Sequence, residues 1–299
     1  MSQADAEIPT SRRVALLHPH LAILGESPRW HGGERALYYV DIASNHLCRF
    51  DPATGAHAIR SFNEPVGSFA FRQQGGFVLA IGLGFGLIDS FKGDVKPIGG
   101  QIASGNGTRL NDGRADVSGR FFAGTIDPEK RGAAGLFRLD PDGTVTRLFT
   151  GALTSNGAAF APNARTLAWS DTPRHALYLF DYDLADGAIS NRRLLHQWPE
   201  GGGRPDGGSF DQDGCYWTAL FAGGRVARLS REGEILEEVA IPCPKPTMIA
   251  FGGPELRTAY VTTAREGLSE SELAAFPQSG GVFAFRVETP GLAEASFFG

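Results

Sequence analysis

Four oxygen-bearing side chains occupy comparable places along the chain: Glu26, Asn111, Asn156 and Asp206. Each stands four residues ahead of a hydrophobic or small residue that precedes a tight turn. Carboxylate and amide oxygens, with no histidine or cysteine among them, are the ligands that hard divalent cations prefer. Two carboxylates pointing into one narrow space repel each other unless a cation lies between them. If the fold brings these positions together, the sequence therefore predicts a divalent metal site.

The four positions belong to a longer internal repeat. Six segments share the same order of lead-in residue, turn and strand, and the separations of their first residues are 41, 44, 45, 50 and 41; they begin at Glu26, Gly67, Asn111, Asn156, Asp206 and Thr247. A period of about 40–50 residues made of short strands is typical of a β-propeller. We therefore expect residues 1–299 to form one all-β domain, a six-bladed β-propeller of four-stranded blades around a central channel. A two-sheet sandwich would not require this sixfold repeat.

In a propeller the innermost strand of each blade lines the channel, so equivalent lead-in residues form a ring. Asn and Asp are also common turn formers before glycine, and each motif alone could be only a turn. Their shared place in the repeat favours the metal site. Residues 13–17 are a candidate closing strand for the last blade, which would remove a free sheet edge. We expect residues 1–12 to be disordered.

Composition limits the classes of partner. A net charge of -5 argues against nucleic acid or an anionic membrane. No window reaches the ~18 apolar residues of a membrane span, and the N-terminus lacks the apolar core of a secretory signal. Cys48, Cys215 and Cys243 have no metal-ligand spacing and are interpreted as free thiols in a reducing compartment. We expect a cytoplasmic protein that is a monomer or a weak dimer.

Several short motifs in the same order carry a family resemblance. They include Gly25-Glu26-Ser27-Pro28-x-Trp30, Arg109-Leu110-Asn111-Asp112-Gly113, Ser155-Asn156-Gly157 and Pro205-Asp206-Gly207. From about Leu16 to its C-terminus the chain resembles the regucalcin, gluconolactonase and luciferin-regenerating-enzyme family of sugar lactone lactonases. The resemblance implies that Glu26, Asn156 and Asp206 bind one divalent metal ion. Calcium is the first expectation, with zinc, manganese, magnesium and iron as alternatives.

The resemblance also assigns substrate contacts. It implies that Arg109 and Asn111 contact the substrate and that Asp206 is the candidate general base. A further contact falls at Glu129, where the loop of residues 127–131 is shorter than in the animal members. Two expectations for Glu129 therefore stay open: its carboxylate contacts the substrate, or it faces solvent.

The function implied is metal-dependent hydrolysis of a sugar lactone, an aldonolactone, to the aldonic acid. One alternative is a non-enzymatic, calcium-binding regulatory propeller. Another is a metal-dependent esterase or organophosphatase on the same platform. Neither Ser27 nor Ser155 has a histidine–aspartate pair placed to activate it, which argues against a serine hydrolase. His18, His20 and His31 are not lead-in residues and are expected to have surface or packing roles.

Overall fold

The computed structural model describes residues 13–18, 20–102 and 108–299. These residues form six four-stranded antiparallel sheets. Each sheet is one blade, and the strand named first in each description below is the innermost strand of that blade. The predicted all-β, six-bladed propeller is confirmed.

Five blades follow one another along the chain. Blade one contains β2 (Gly25–His31), β3 (Ala36–Asp41), β4 (His46–Phe50) and β5 (His57–Ser61). Blade two contains β6 (Val66–Phe71), β7 (Phe77–Ile81), β8 (Gly84–Ile88) and β9 (Lys96–Gln101). Blade three contains β10 (Arg109–Ala115), β11 (Phe121–Ile126), β12 (Ala134–Leu139) and β13 (Val145–Ala152). Blade four contains β14 (Ser155–Phe160), β15 (Thr166–Asp171), β16 (Ala176–Tyr182) and β17 (Ile189–Gln197). Blade five contains β18 (Arg204–Phe210), β19 (Tyr216–Phe221), β20 (Arg225–Leu229) and β21 (Ile235–Ala240).

The sixth blade joins the two ends of the described chain. It contains β22 (Pro246–Gly252), β23 (Thr258–Thr263) and β24 (Val282–Arg286), and its outer strand is β1 (Ala15–His18). β1 runs antiparallel to β24, with Ala15 opposite Ala284. The N-terminal strand thus covers the outer edge of the last blade. Residues 1–12, which we expected to be disordered, lie outside the described residues.

The hydrophobic core lies between blades rather than in the middle of the molecule. In the described part of the chain, each of six buried clusters draws residues from two neighbouring blades. Between blades five and six, for example, the Trp217 ring meets the Phe251 ring edge-on at 6.1 Å. Since the blades pack on one another around a ring, the axis is left for polar side chains.

The C-terminal segment after β24 crosses one end of this channel. Gly291 forms a bridge with Asp211 of blade five, and the fully buried Phe297 packs between blades two and three. Between these anchors, Glu294 Oε2 lies 3.5 Å from Arg29 Nε on β2. This end of the channel is therefore covered by the chain itself.

Outside the blades, the described residues include one α-helix, α1 (Glu270–Ala275), capped at its start by Ser269. No described helix has the length and apolarity needed to cross a membrane. Cys48, Cys215 and Cys243 are buried and unpaired.

Candidate active site

The four predicted ring residues all lie near the start of an inner strand. Glu26 is in β2, Asn111 in β10, Asn156 in β14 and Asp206 in β18. Their relative exposures are 6%, 6%, 5% and 4%. A buried carboxylate or amide needs partners, so these positions are costly unless something satisfies their oxygens.

A repeated backbone irregularity turns these residues toward the axis. The pairing register of the inner strand shifts between Glu26 and Arg29 in blade one. It shifts at the equivalent place in blades three, four and five: between Leu110 and Gly113, Asn156 and Ala159, and Pro205 and Gly208. Such bulges add a residue to one strand and re-aim its side chains. Ser27, directly after Glu26, has a φ of 51°, and Gly157, directly after Asn156, has a φ of 63°. The turn-like sequences Asn-Gly and Asp-Gly are therefore bulges inside strands.

The other two lead-in positions are structural. A side chain at Gly67 would meet the backbone of blade three, with its Cβ 2.8 Å from the Asn111 Cα. The Thr247 hydroxyl donates to the Gly25 carbonyl at 2.5 Å, which ties blade six to blade one. Of the six lead-in positions, the four with a carboxylate or amide side chain are thus left for chemistry.

Hydrogen bonds hold the two asparagines in fixed orientations. Asn111 Nδ2 donates to Asn156 Oδ1 at 2.5 Å and to the Ser155 carbonyl at 3.1 Å. Asn156 Nδ2 donates to the Thr172 hydroxyl at 2.8 Å, and that hydroxyl donates to the Pro205 carbonyl at 2.8 Å. Because its nitrogen is anchored on Thr172, Asn156 presents its oxygen to the channel.

Burial and neighbouring carboxyls destabilise the charged forms of the two ring carboxyls. Burial raises the pKa of Glu26, and the nearby Asp112 carboxyl raises it further. Burial also raises the pKa of Asp206, and the nearby Glu26 and Asp112 carboxyls raise it further. Asp206 Oδ1 is buried without a hydrogen-bond partner among the described residues. An oxygen-only set with an unpartnered, buried carboxylate oxygen fits a divalent cation, which would offset both the burial and the repulsion.

Beneath the ring lies a buried charged cluster that the sequence analysis did not identify. Asp112 Oδ2 accepts from the Ala158 amide at 3.1 Å, and its Oδ1 lies 4.0 Å from Arg29 Nη2. Glu294 pairs with Arg29 at 3.5 Å and with Arg114 at 3.7 Å. Arg29 and Arg114 occupy inner strands, where charged side chains are unusual. Their positions in the sequence could therefore have indicated a buried charged cluster. Its two arginines and two carboxylates balance each other's charges below the ring.

Arg109 is attached directly to the ring. Its Nη1 donates to Asn111 Oδ1 at 2.7 Å and to the Leu110 carbonyl at 3.0 Å. Burial lowers the pKa of the Arg109 guanidinium, while Glu26, Glu266 and Asp206 act in the opposite direction. Both hydrogen bonds to described residues use Nη1, so Nη2 remains as a donor for another oxygen.

Glu129 forms its ion pair within its own loop. It is exposed, in the loop after β11, and its carboxylate pairs with Arg131. The loop is held by Asp127, which accepts from the Glu129 amide at 3.0 Å and from the Ala133 amide at 3.0 Å. The substrate contact at Glu129 stays a prediction.

The neighbouring residue Lys130 joins Arg109 and Arg204 in a cationic group, which we call the cationic rim. Lys130 Nζ donates to the Thr154 hydroxyl at 2.7 Å. Burial lowers the Lys130 pKa; Asp127 and Asp171 raise it, and Arg204 and Arg109 lower it. The Arg204 guanidinium lies 5.0 Å from the Phe221 ring centroid. Three cations thus lie close enough to influence one another beside the oxygen ring.

The two serines beside the ring lack the partners of a nucleophile. Ser155 Oγ accepts from the Trp169 indole nitrogen at 2.6 Å, and Ser27 Oγ is buried with no partner among the described residues. The histidines that hydrogen-bond in the described ranges do so with other groups. This agrees with the argument against a serine hydrolase.

Comparison with known proteins identifies the class to which this fold and site belong. Residues 24–265 match the family model described as the SMP-30/Gluconolactonase/LRE-like region. The chain belongs to this family, as its motifs indicated. It is 43% identical to the 6-deoxy-6-sulfogluconolactonase of Pseudomonas putida over 93% of this chain and 96% of that protein. It is 36% identical to regucalcin of Xenopus laevis over 92% of this chain and 95% of that protein.

Solved structures agree with the fold. The calcium-binding protein regucalcin from Agrobacterium tumefaciens superposes with a TM-score of 0.90 at 26% identity, covering 97% of this chain and 98% of that one. A luciferin-regenerating enzyme gives a TM-score of 0.89 at 24% identity, covering 96% of this chain and 100% of that one. The second likeness supports the fold alone.

Proposed function

We propose that this protein hydrolyses a sugar lactone to the corresponding aldonic acid and that it requires a divalent metal ion. The observation that carries the proposal is the buried oxygen ring, in which Asp206 Oδ1 has no partner among the described residues and Arg109 is hydrogen-bonded to Asn111. The named activity of the Pseudomonas putida relative, which aligns over almost its whole length, supports the same reaction class.

Glu26, Asn156 and Asp206 would hold the ion. Calcium remains the first candidate because a similar structure is described as a calcium-binding protein. When bound, such an ion polarises the lactone carbonyl and lowers the pKa of a water molecule. The Thr172 hydroxyl, by holding Asn156 Nδ2, fixes the amide oxygen as the ligand atom.

Asp206 would act as the general base. In the reaction a water oxygen forms a bond to the carbonyl carbon, and the ring C–O bond of the lactone breaks. Asp206 Oδ1 would accept the proton from the water and return it to the departing alkoxide, so that no proton is gained or lost on the protein. A general base of this kind contributes about 10²–10⁴-fold in rate.

Arg109 would bind the oxygen on which negative charge develops or a neighbouring hydroxyl. Its guanidinium is anchored through Nη1 and offers Nη2 in a fixed direction. A donor fixed before the reaction costs no reorganisation when charge develops. The Asn111 side chain would therefore position two groups. Its oxygen accepts from the Arg109 guanidinium, and its nitrogen donates to Asn156.

The cationic rim of Arg109, Lys130 and Arg204 favours lactones that carry an anionic substituent. Three cations beside one binding site attract an anion, and the 43% identical relative is named for a sulfonated gluconolactone. We propose that the preferred substrate is an aldonolactone with a negatively charged group distant from the ester. Glu129, exposed on the adjoining loop, stays a predicted contact to the sugar.

The direct test is proton release from matched neutral and anionic lactones. Glucono-1,5-lactone and 6-deoxy-6-sulfogluconolactone would be incubated with protein that has been treated with chelator and then given calcium, zinc, manganese, magnesium or ferrous iron. We expect metal-dependent hydrolysis, fastest on the sulfonated lactone.

The outcomes separate the alternatives. Metal binding without acceleration of any lactone would favour the regulatory calcium-binding propeller. Hydrolysis of aryl esters or phosphotriesters, with lactones untouched, would favour the esterase or organophosphatase.

A further inference from the structure

A second group of potential metal ligands lies far from the oxygen ring, at the junction of blades one and six. One ligand atom each from His20, Cys48 and His57 lies within 4.8 Å of the other two. His20 follows β1, the outer strand of blade six, whereas Cys48 is in β4 and His57 begins β5 of blade one. The group therefore connects the N-terminal segment to the blade beside it.

Strand register places the two blade-one residues on one face. Cys48 lies opposite Tyr39, and His57 lies opposite Phe50, two residues along from Cys48. Alternate residues of a strand share a face, so the Cys48 and His57 side chains point the same way. The fully buried Cys48 packs with Tyr260 of blade six on this face.

The segment after β1 lies across the same face. The His18 ring stacks on Phe50 with a centroid distance of 4.4 Å, and its Nε2 lies 2.9 Å from the Tyr39 hydroxyl. The His20 amide donates to His18 Nδ1 at 3.1 Å, which holds His20 beside His57 with a ring distance of 4.7 Å. His18 thus acts as the anchor that brings the His20 ring to the cluster.

Two of the three ligand atoms are free to bind. The third, the Cys48 thiol, hydrogen-bonds to Tyr39, and burial raises its pKa to about 12, so metal binding must displace its proton. His20 Nε2 is buried without a hydrogen-bond partner among the described residues. His57 uses Nε2 in a 3.2 Å contact with the Tyr39 hydroxyl, which leaves its Nδ1. Burial holds the rings uncharged, since it lowers the pKa of His20 and lowers the pKa of His57 to about 4. A neutral imidazole is the form that binds metals.

We propose that His20, Cys48 and His57 form a second metal site, selective for zinc, that fastens the N-terminal strand to blade one. Two imidazoles and one thiolate are ligands of zinc in tetrahedral geometry, whereas the channel ring offers oxygen alone. A water molecule would supply the fourth ligand. On binding, the Cys48 thiol gives its proton to solvent as the sulfur–zinc bond forms, and no oxidation occurs.

The position of the site gives it a structural role. β1 is only four residues long and pairs with β24 alone. An ion bound by His20 on one side and by Cys48 and His57 on the other would add a second connection across the ring closure. This role is independent of lactone hydrolysis.

Cobalt(II) is the most direct probe, because a cobalt–thiolate bond gives a charge-transfer absorption band that oxygen ligands do not give. The full chain would be stripped of metal and titrated with cobalt in the Glu26→Gln background, which weakens the channel site. We expect one equivalent to produce the thiolate band, and zinc to displace it. Cobalt binding without a thiolate band, or no binding, would overturn the proposal.

Matched variants assign the ligands. Cys48→Ser should abolish the band, whereas Cys243→Ser, which removes another buried free thiol, should retain it. His57→Ala, at a partly exposed position that tolerates truncation better, should weaken cobalt binding at least about tenfold. Circular dichroism confirms that each variant is folded. A thiolate band that survives in folded Cys48→Ser, or unchanged affinity in folded His57→Ala, would contradict the site.

Hydrogen exchange tests the fastening role. Zinc should slow amide exchange in β1 of the wild-type protein and have little effect in His57→Ala. Exchange in β1 that is equally fast with and without zinc would show that the ion does not hold the strand.

Discussion

The side-chain nitrogen of Asn111 lies 2.5 Å from the side-chain oxygen of Asn156. A residue expected to contact substrate is thus hydrogen-bonded to a residue expected to bind the metal. Arg109 extends the chain of contacts through its 2.7 Å bond to Asn111 Oδ1. We therefore expect substrate binding and metal binding to be coupled through one amide.

Asn111→Ala tests this coupling. Removing the amide takes away the group that donates to Asn156 and the oxygen that accepts from Arg109. We therefore expect both a higher KM for lactone and about tenfold weaker metal binding. Kinetics at several metal concentrations would separate the two effects. Asn163→Ala, an exposed amide in blade four, is the matched control. A change in KM with unaltered metal affinity would show that the two sites are independent.

Glu26→Gln tests the metal ring. The substitution keeps the shape of the side chain but removes one of the charges that a divalent ion would balance, so we expect loss of bound metal and of nearly all lactone hydrolysis. Metal content and initial rates would be measured on the same sample. Glu288→Gln, exposed after β24, should change neither. Full activity in a Glu26→Gln protein would remove Glu26 from the ligand set.

Arg109→Ala tests the role of the guanidinium. We expect mainly a higher KM, and Arg109→Lys should restore little because a lysine cannot offer two fixed nitrogens. If Arg109 binds the oxygen on which negative charge develops, its loss would also lower kcat by up to about 10²–10³-fold. Steady-state kinetics compare both variants with Arg147→Ala, an exposed arginine of blade three. Wild-type kinetics in Arg109→Ala would exclude it as a substrate contact.

Lys130→Ala tests the cationic rim. The ammonium is partly exposed, so we expect a moderate effect: about fivefold lower kcat/KM for the sulfonated lactone and little change for glucono-1,5-lactone. The difference should shrink at high salt because ions screen exposed charges. Equal effects on both lactones would argue against recognition of the anionic group by Lys130.

Metal removal should make stability decrease as the pH rises. Burial and repulsion from neighbouring carboxyls raise the pKa values of Glu26 and Asp206 above their ordinary values, which for a glutamic acid is 4.5. A carboxyl with a raised pKa in the folded state stabilises the fold at low pH and loses that contribution as the pH increases through the raised value. The lowered pKa values of His20 and His57 act in the opposite direction only below their ordinary value of 6.5. Chemical denaturation of chelated protein from about pH 7 to about pH 8.5 should therefore show falling stability, and metal should abolish most of the fall. A chelated protein whose stability rises steadily over that range would contradict the raised pKa values.

The fold and the family were predictable from the sequence because the repeat is regular. Turn and strand signals recur in all six segments, and a propeller blade is a local unit whose strands are neighbours in the chain. The bulges at Glu26, Asn156 and Asp206 were not predictable in the same way. Their sequences look like ordinary turns, and only strand pairing reveals that the turn-like residues lie inside a strand.

Contacts between distant segments account for what the sequence analysis missed. Glu294 reaches Arg29 only because the C-terminal segment folds back across the channel. His20, Cys48 and His57 have no ligand spacing, and the closing strand brings them together. Glu129 pairs with Arg131 in the loop after β11, and its contact with the substrate stays a prediction.

The most direct test of the central claim is turnover of the preferred lactone by Asp206→Asn at saturating metal, with metal content measured on the same sample. Asparagine keeps an oxygen that can bind the ion but accepts a proton far less readily than a carboxylate. We predict that the ion is retained at saturation and that kcat falls by about 10²–10⁴-fold. Wild-type turnover at normal metal content in Asp206→Asn would contradict the mechanism.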